Sequence, residues 1–136
     1  MEKTFDHLGI AVRNIDDALP LYLDVLGGKL IDRYTSDVTG VEVHVAALQL
    51  GSMHIELLEP TSRESPVARF MRQQGPGVQH VAYRVDNLDR AIEEAKSKGI
   101  RFYEETLRIN ARGRRLIYMH LASTSGTIIE LCEYPK

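Results

Sequence analysis

Little in this chain is available for thiol chemistry, since its 136 residues contain one cysteine, Cys132. No intramolecular disulfide can form, and a thiolate zinc cluster is excluded. An excess of charge of one sign is also missing. Lys and Arg number 17 against 19 Asp and Glu, a net of −2 with His neutral, so neither a basic nucleic-acid domain nor a nucleic-acid partner is expected. Long apolar runs are absent too. Stretches such as Val45–Leu48 fall far short of a membrane span, which removes a membrane partner from expectation. The opening residues, MEKTFDHLG, are polar and charged, without the apolar region of a signal peptide. What is present is an ordinary globular composition, 43% hydrophobic and 26% charged, too apolar for a disordered chain. The expectation is one cytoplasmic domain over residues 1–136.

The chain repeats itself. His7-Leu-Gly-Ile-Ala-Val-Arg-Asn-Ile-Asp-Asp-Ala-Leu19 matches His80-Val-Ala-Tyr-Arg-Val-Asp-Asn-Leu-Asp-Arg-Ala-Ile92 at an offset of 73. Further on, Ile55-Glu56-Leu-Leu-Glu-Pro60 matches Ile129-Glu130-Leu-Cys-Glu133 at an offset of 74. Two matches at nearly one offset indicate a duplicated module, with halves at 4–60 and 77–135. Each half opens with an alternating strand, His7–Val12 or His80–Val85. A helical spacing follows, from Asn14 to Gly27 and from Leu88 to Gly99, in which Pro20 fits only in a first turn. Three more strands are expected per half, near 29–35, 41–50 and 53–59, then near 101–104, 115–121 and 127–133. Residues 61–76 join the halves through a short helix, with Ser65 as N-cap and Pro66 at its first position. The expected fold class is α+β: two tandem βαβββ modules in a curved, mostly antiparallel eight-stranded sheet around a metal site.

The repeat places ligand-type residues at matched positions. Each half has a His on its first strand and a Glu on its last. His7 shares a strand face with the small Gly9 and Ala11, and His80 with Ala82 and Arg84; the bulky residues lie on the opposite faces. If the halves meet about a pseudo-two-fold axis, His7, Glu56, His80 and Glu130 converge as two imidazoles and two carboxylates. That donor set suits Co²⁺, Ni²⁺, Zn²⁺, Fe²⁺ or Mn²⁺. A Glu flanked by Ile and Leu is rarely buried without a partner, which favours a ligand over an idle core residue. His44, His54 and His120 lack repeat partners and carry less weight, and Cys132 reads as a small core residue.

These segments resemble the vicinal-oxygen-chelate superfamily of glyoxalases, extradiol dioxygenases and antibiotic-resistance binders. Within it they are most similar to the methylmalonyl-CoA epimerases. The likeness rests on Asp6-His7-Leu-Gly-Ile-Ala-Val, Ile55-Glu56-Leu-Leu-Glu-Pro60, Glu64-Ser-Pro-Val-Ala-Arg-Phe70, Gln79-His80-Val-Ala-Tyr-Arg-Val-Asp86 and Ile128-Ile-Glu130-Leu-Cys-Glu-Tyr-Pro135, of which the 64–70 linker discriminates best. The chain departs from that family at His120-Leu-Ala-Ser-Thr124, where the family often has His-Pro-Lys. The loop 108–115 also holds a single Gly where the family tends to have more.

The resemblance implies a glyoxalase-like fold, a homodimer, an acyl-CoA substrate and a divalent metal, with Co²⁺ favoured. His7, His80 and Glu130 match the family's ligands, and Glu56 stands where the family has a Gln or Glu ligand. The implied activity is epimerisation of methylmalonyl-CoA or a close 2-alkylmalonyl-CoA. A proton leaves one face of the carbon beside the thioester and is replaced on the other, through a metal-stabilised enolate. The resemblance points to Glu130 as one base and to a Glu on the third strand as the other, here Glu42 on a face with His44 and Ala46. Arg101, Arg108, Arg112, Arg114 and Arg115 are either a solvated hairpin or contacts for coenzyme A phosphates. Two rivals remain: glyoxalase I, using the same four ligands, and a non-catalytic binding member of the superfamily.

Overall fold

The computed structural model describes residues 2–136. The strands are β1 (Thr4–Ala11), β2 (Lys29–Ser36), β3 (Val43–Leu50), β4 (Met53–Pro60), β5 (Gly77–Arg84), β6 (Phe102–Ile109), β7 (Arg115–Met119) and β8 (Ile129–Glu133). The helices are α1 (Ile15–Pro20), α2 (Pro66–Gln74) and α3 (Leu88–Ser97). The βαβββ order expected from the repeat therefore occurs twice.

The chain divides into two compact units, His7–Gln79 and a second made of the residues up to Asp6 together with His80–Lys136. The division falls inside β1 and β5 rather than in the linker. In the first unit the strand order is β2-β3-β4-β1, and in the second it is β5-β8-β7-β6. Each unit pairs its first and last strands in parallel, with Gly9 opposite Glu56 and Ala82 opposite Glu130. Its other ladders, β2–β3 and β3–β4 or β6–β7 and β7–β8, are antiparallel.

The helices start where the sequence has caps. The Asn14 side chain accepts from the Asp17 N–H at 2.9 Å, and Asn87 accepts from the Arg90 N–H at 3.0 Å. Each start has a second acceptor. The Ile15 N–H donates to Glu59 at 2.8 Å, and the Leu88 N–H donates to Glu133 at 2.7 Å. Two of the otherwise orphaned amides at each helix start are thus satisfied, one of them by a carboxylate that also suits the positive end of the helix dipole.

Pro20 does not sit in a first turn. It closes α1, and the chain continues as a π turn over Leu21–Val25, with the Leu26 N–H donating to the Leu21 carbonyl at 2.9 Å. The cause is local: Pro20 has no N–H for the usual bond four residues back, and its ring crowds the carbonyl there.

Alternation along the strands sorts the faces. Ile55 and Leu57 of β4 pack with Ile15 of α1, while Leu131 of β8 and Ile117 of β7 pack with Leu88, Ala91, Ile92 and Ala95 of α3. Ile10 and Val12 join the α1 cluster, and Tyr83 and Val85 the α3 cluster. Period-two geometry then turns His7, Glu56, His80 and Glu130 to the faces away from α1 and α3. Among the described residues, no helix is long and apolar enough to cross a membrane.

Candidate metal centre

Within the first unit, His7 on β1 and Glu56 on β4 face each other, with Nε2 and Oε1 3.5 Å apart. Within the second, His80 on β5 and Glu130 on β8 stand at the same 3.5 Å between the same atoms. All four residues are buried, Glu130 to 1% exposure. The spacing is long for a hydrogen bond. It is close to the roughly 3.0–3.4 Å between neighbouring ligands that bonds of about 2.1 Å to one ion produce.

Glu130 gives the test of fit. Its Oε2 is enclosed and has no hydrogen-bond partner among the described residues. Its nearest cation is Arg114 Nε at 3.8 Å, outside hydrogen-bond range, so a further cation near Oε1, the oxygen toward His80, would suit a carboxylate that is costly to bury. Each unit offers one imidazole nitrogen and one carboxylate oxygen, donor types that suit a borderline or hard divalent ion.

Around Glu130 the second unit is aromatic and cationic. Tyr118 lies opposite Glu130 on β7, and its ring meets that of His80 edge-on at 5.8 Å. Burial, and next the Glu130 charge, push the Tyr118 hydroxyl well above the usual tyrosine range, so it stays a neutral donor. Arg108 stacks over the Tyr118 ring at 5.7 Å.

The arginine-rich segment is not uniformly solvated. Arg114 is buried, and its Nε lies 3.8 Å from Glu130 Oε2. Arg115 turns to the opposite side and meets Asp89 at 3.0 Å and Glu133 at 3.9 Å. The Asp89 hydrogen bond leads in raising the Arg115 pKa further above its ordinary value. Arg101 and Arg112 are exposed.

The other candidates separate from this cluster. Glu42 is not on β3. It occupies the turn before it, with φ of +42°, and its two carboxylate oxygens accept from the Gly40 N–H at 3.0 Å and the Ser62 hydroxyl at 2.8 Å. The positive φ breaks the strand alternation on which its expected face depended. The face it was expected to share also differs from that of Glu56: Ala46 packs with Ile15, whereas Ala47 is the β3 residue opposite Glu56. The structure therefore gives Glu42 a part in the turn. Glu42→Gln is expected to retain acyl-CoA proton exchange, without the roughly 10²–10⁴-fold loss that follows removal of a general base. A loss of that size in a deuterium-uptake assay would return Glu42 to the chemistry.

His44 is held by Thr35 through Nδ1 at 2.7 Å. His120 caps the short turn Leu121–Ser123, accepting from the Ala122 N–H at 3.1 Å, and stacks on Tyr103. His54 is exposed, and Cys132 is fully buried. Sequence reasoning missed the placement of Arg114 and the pairing of Tyr134 with Asp6, whose side chains are 2.7 Å apart. The one available signal was that Asp6 adjoins a candidate ligand.

Comparison with known proteins bears on the family and the fold. Residues 6–118 match the model of the Glyoxalase/Bleomycin resistance protein/Dioxygenase superfamily. The chain is 34% identical to an uncharacterized Bacillus subtilis protein, YqjC, covering 96% of this chain and 91% of that one. It is 32% identical to the mitochondrial methylmalonyl-CoA epimerase of Homo sapiens, over 93% of this chain and 71% of the relative. The crystal structure of methylmalonyl-CoA epimerase from Mycobacterium tuberculosis superposes with a TM-score of 0.90 at 33% identity, covering 98% of this chain and 89% of that one. Two sets of four mixed strands with three helices are those of the glyoxalase-like fold. The chain belongs to the glyoxalase/bleomycin resistance protein/dioxygenase superfamily, and its named relatives include methylmalonyl-CoA epimerases.

Proposed function

We propose that this protein is a metal-dependent epimerase of 2-alkylmalonyl-CoA thioesters, with methylmalonyl-CoA or a close homologue as substrate. The observation that carries the proposal is the repeated buried His–Glu pair, set at the same 3.5 Å in both halves of a chain with epimerase relatives. His7, Glu56, His80 and Glu130 are the proposed ligands. In support, each half sets a buried imidazole nitrogen beside a buried carboxylate oxygen, donor types that divalent ions take. When bound, a divalent ion supplies Lewis-acid stabilisation of negative charge on a thioester oxygen.

The chain's own residues do the rest. Glu130, an enclosed carboxylate with one oxygen toward His80 and the other toward Arg114, is the proposed group that takes and returns the α-proton. Tyr118, beside it, holds the His80 ring by its edge contact and presents a neutral hydroxyl to the Glu130 side. The apolar clusters under α1 and α3 keep strand faces dry on the far side, so these carboxylates are offset by fixed groups rather than by bulk water.

Four protein donors would leave a bound ion fewer open positions than a three-ligand triad, which would suit a substrate with two neighbouring oxygens better than oxygen activation. The test combines metal analysis of the purified protein with solvent deuterium uptake from each pure methylmalonyl-CoA epimer. Lactoylglutathione formation from a glutathione hemithioacetal is measured alongside. Metal at one equivalent with uptake into the acyl-CoA is the expected result. Lactoylglutathione formation without uptake would establish the glyoxalase I reading in its place, and absence of both metal and turnover would establish a binding member.

A further inference from the structure

The second unit holds a connected set of polar groups behind Glu130, in which Asp6, His80, Arg114 and Glu130 are buried and Tyr134 reaches the surface. Glu130 Oε1 faces His80 at 3.5 Å, while Oε2 faces Arg114 Nε at 3.8 Å. The Arg114 guanidinium reaches the Tyr134 hydroxyl at 3.5 Å and lies 5.8 Å from the centre of that ring. The Tyr134 hydroxyl donates to Asp6 Oδ2 at 2.7 Å. Burial leads in pushing the Tyr134 hydroxyl above the usual tyrosine range, which keeps it a donor. The path thus runs from Asp6 through Tyr134 and Arg114 to the Glu130 carboxylate.

Arg114 is not there by flexibility. Its hairpin is tight: Asn110 accepts through Oδ1 from the Arg112 N–H at 2.9 Å and the Arg114 N–H at 3.0 Å, and the Asn110 N–H donates to the Arg114 carbonyl at 2.8 Å. Gly113 takes φ of +80°, and a Cβ there would meet Pro135 at 3.0 Å. The turn thereby delivers the Arg114 side chain to the face of β7 that carries Tyr118.

We propose that Arg114, held by Tyr134 and Asp6, is a positioning residue for Glu130. It engages Oε2 so that Oε1 alone is presented toward His80, and it keeps the carboxylate from closing with both oxygens on one cation. This rests on the proposed metal-dependent proton transfer, but makes a separate claim about one side chain. Two effects of a cation at that place oppose each other. It orients the carboxylate for proton transfer, and as a like charge it weakens the hold on a divalent ion.

The test uses the full-length protein and the variants Arg114→Gln, Arg114→Lys and Tyr134→Phe. Divalent-metal affinity is measured by competition with a chelator, thermal stability is measured without metal, and kcat and KM are measured for acyl-CoA proton exchange. Arg114→Gln is expected to bind Co²⁺ or Zn²⁺ as tightly as the wild type or tighter. Its kcat should fall by roughly 10–100-fold, the range for loss of an outer partner of a ligand, with little change in KM. Arg114→Lys, which keeps the charge, should recover part of kcat, and Tyr134→Phe should show a weaker form of the same split. Weaker metal binding together with lower stability in Arg114→Gln would make Arg114 a packing residue and overturn the proposal, as would unchanged kcat. If the wild type binds metal but turns over no acyl-CoA, the proposed function fails. The claim about Arg114 then stands or falls on the sign of the affinity change.

Discussion

The variant His7→Ala/His80→Ala is expected to be purified without metal and to show no measurable acyl-CoA proton exchange. Both imidazoles are buried, and each faces its carboxylate at 3.5 Å, so the double change removes one nitrogen donor from each half. Loss of an outer partner of a ligand already costs roughly 10–100-fold in affinity, and loss of two ligands costs more. The contrast is also readable without turnover. A metal present at 100 times its dissociation constant adds about 2.7 kcal/mol to stability, so added metal should raise the wild-type Tm and leave that of the double variant unchanged. Full occupancy by elemental analysis, or a metal-dependent Tm in the double variant, would remove these residues from the site.

Glu130→Gln is expected to separate holding the ion from moving the proton. The amide keeps an oxygen where Oε1 faces His80, so metal should remain, though more weakly. It cannot accept the α-proton, and exchange should fall by roughly the 10²–10⁴-fold of a lost general base. There is a structural cost as well. Arg114, 3.8 Å from Oε2, loses its charged neighbour, and stability should drop on the order of 1–3 kcal/mol, the range for a buried polar group left short of its partner. Deuterium uptake measured with metal occupancy held constant decides the point. Near-wild-type uptake would mean that another group transfers the proton.

The repeat made most of the fold legible. Matched His, Asn and Glu positions at offsets of 73 and 74 located the first strand, the helix cap and the last strand of each half, and β-alternation placed the four ligand-type side chains opposite the helices. The parts that were not legible depend on single backbone events. Glu42 looked like a strand residue because Val41, Val43 and Val45 alternate around it, and nothing in that pattern marks a positive φ. Pro20 signalled a helix limit but not the wider turn that carries the chain on to Val25. The edge strand β6 was expected to end near 104 and runs to Ile109. Its register shifts against β7 between Tyr103 and Arg108, and Leu107 and Ile109 are exposed, so no alternation announced it. Arg114 sits among four other arginines of its segment, and only the Asn110 hairpin distinguishes the one turned inward.

Glu59 and Glu133 follow the proposed ligands Glu56 and Glu130 by three residues and bind the first amide of α1 and of α3. Each half therefore carries its own ruler, fixing how far its last strand may slide against its helix. A slip of one residue would turn the ligand carboxylate to the wrong face of the sheet, and it would also tear the ruler from the helix start, so the slip is penalised twice. A module built this way can be copied and its ligand residue exchanged without recalibrating the strand. Each half thereby sets the register of its own His–Glu pair, independently of the other.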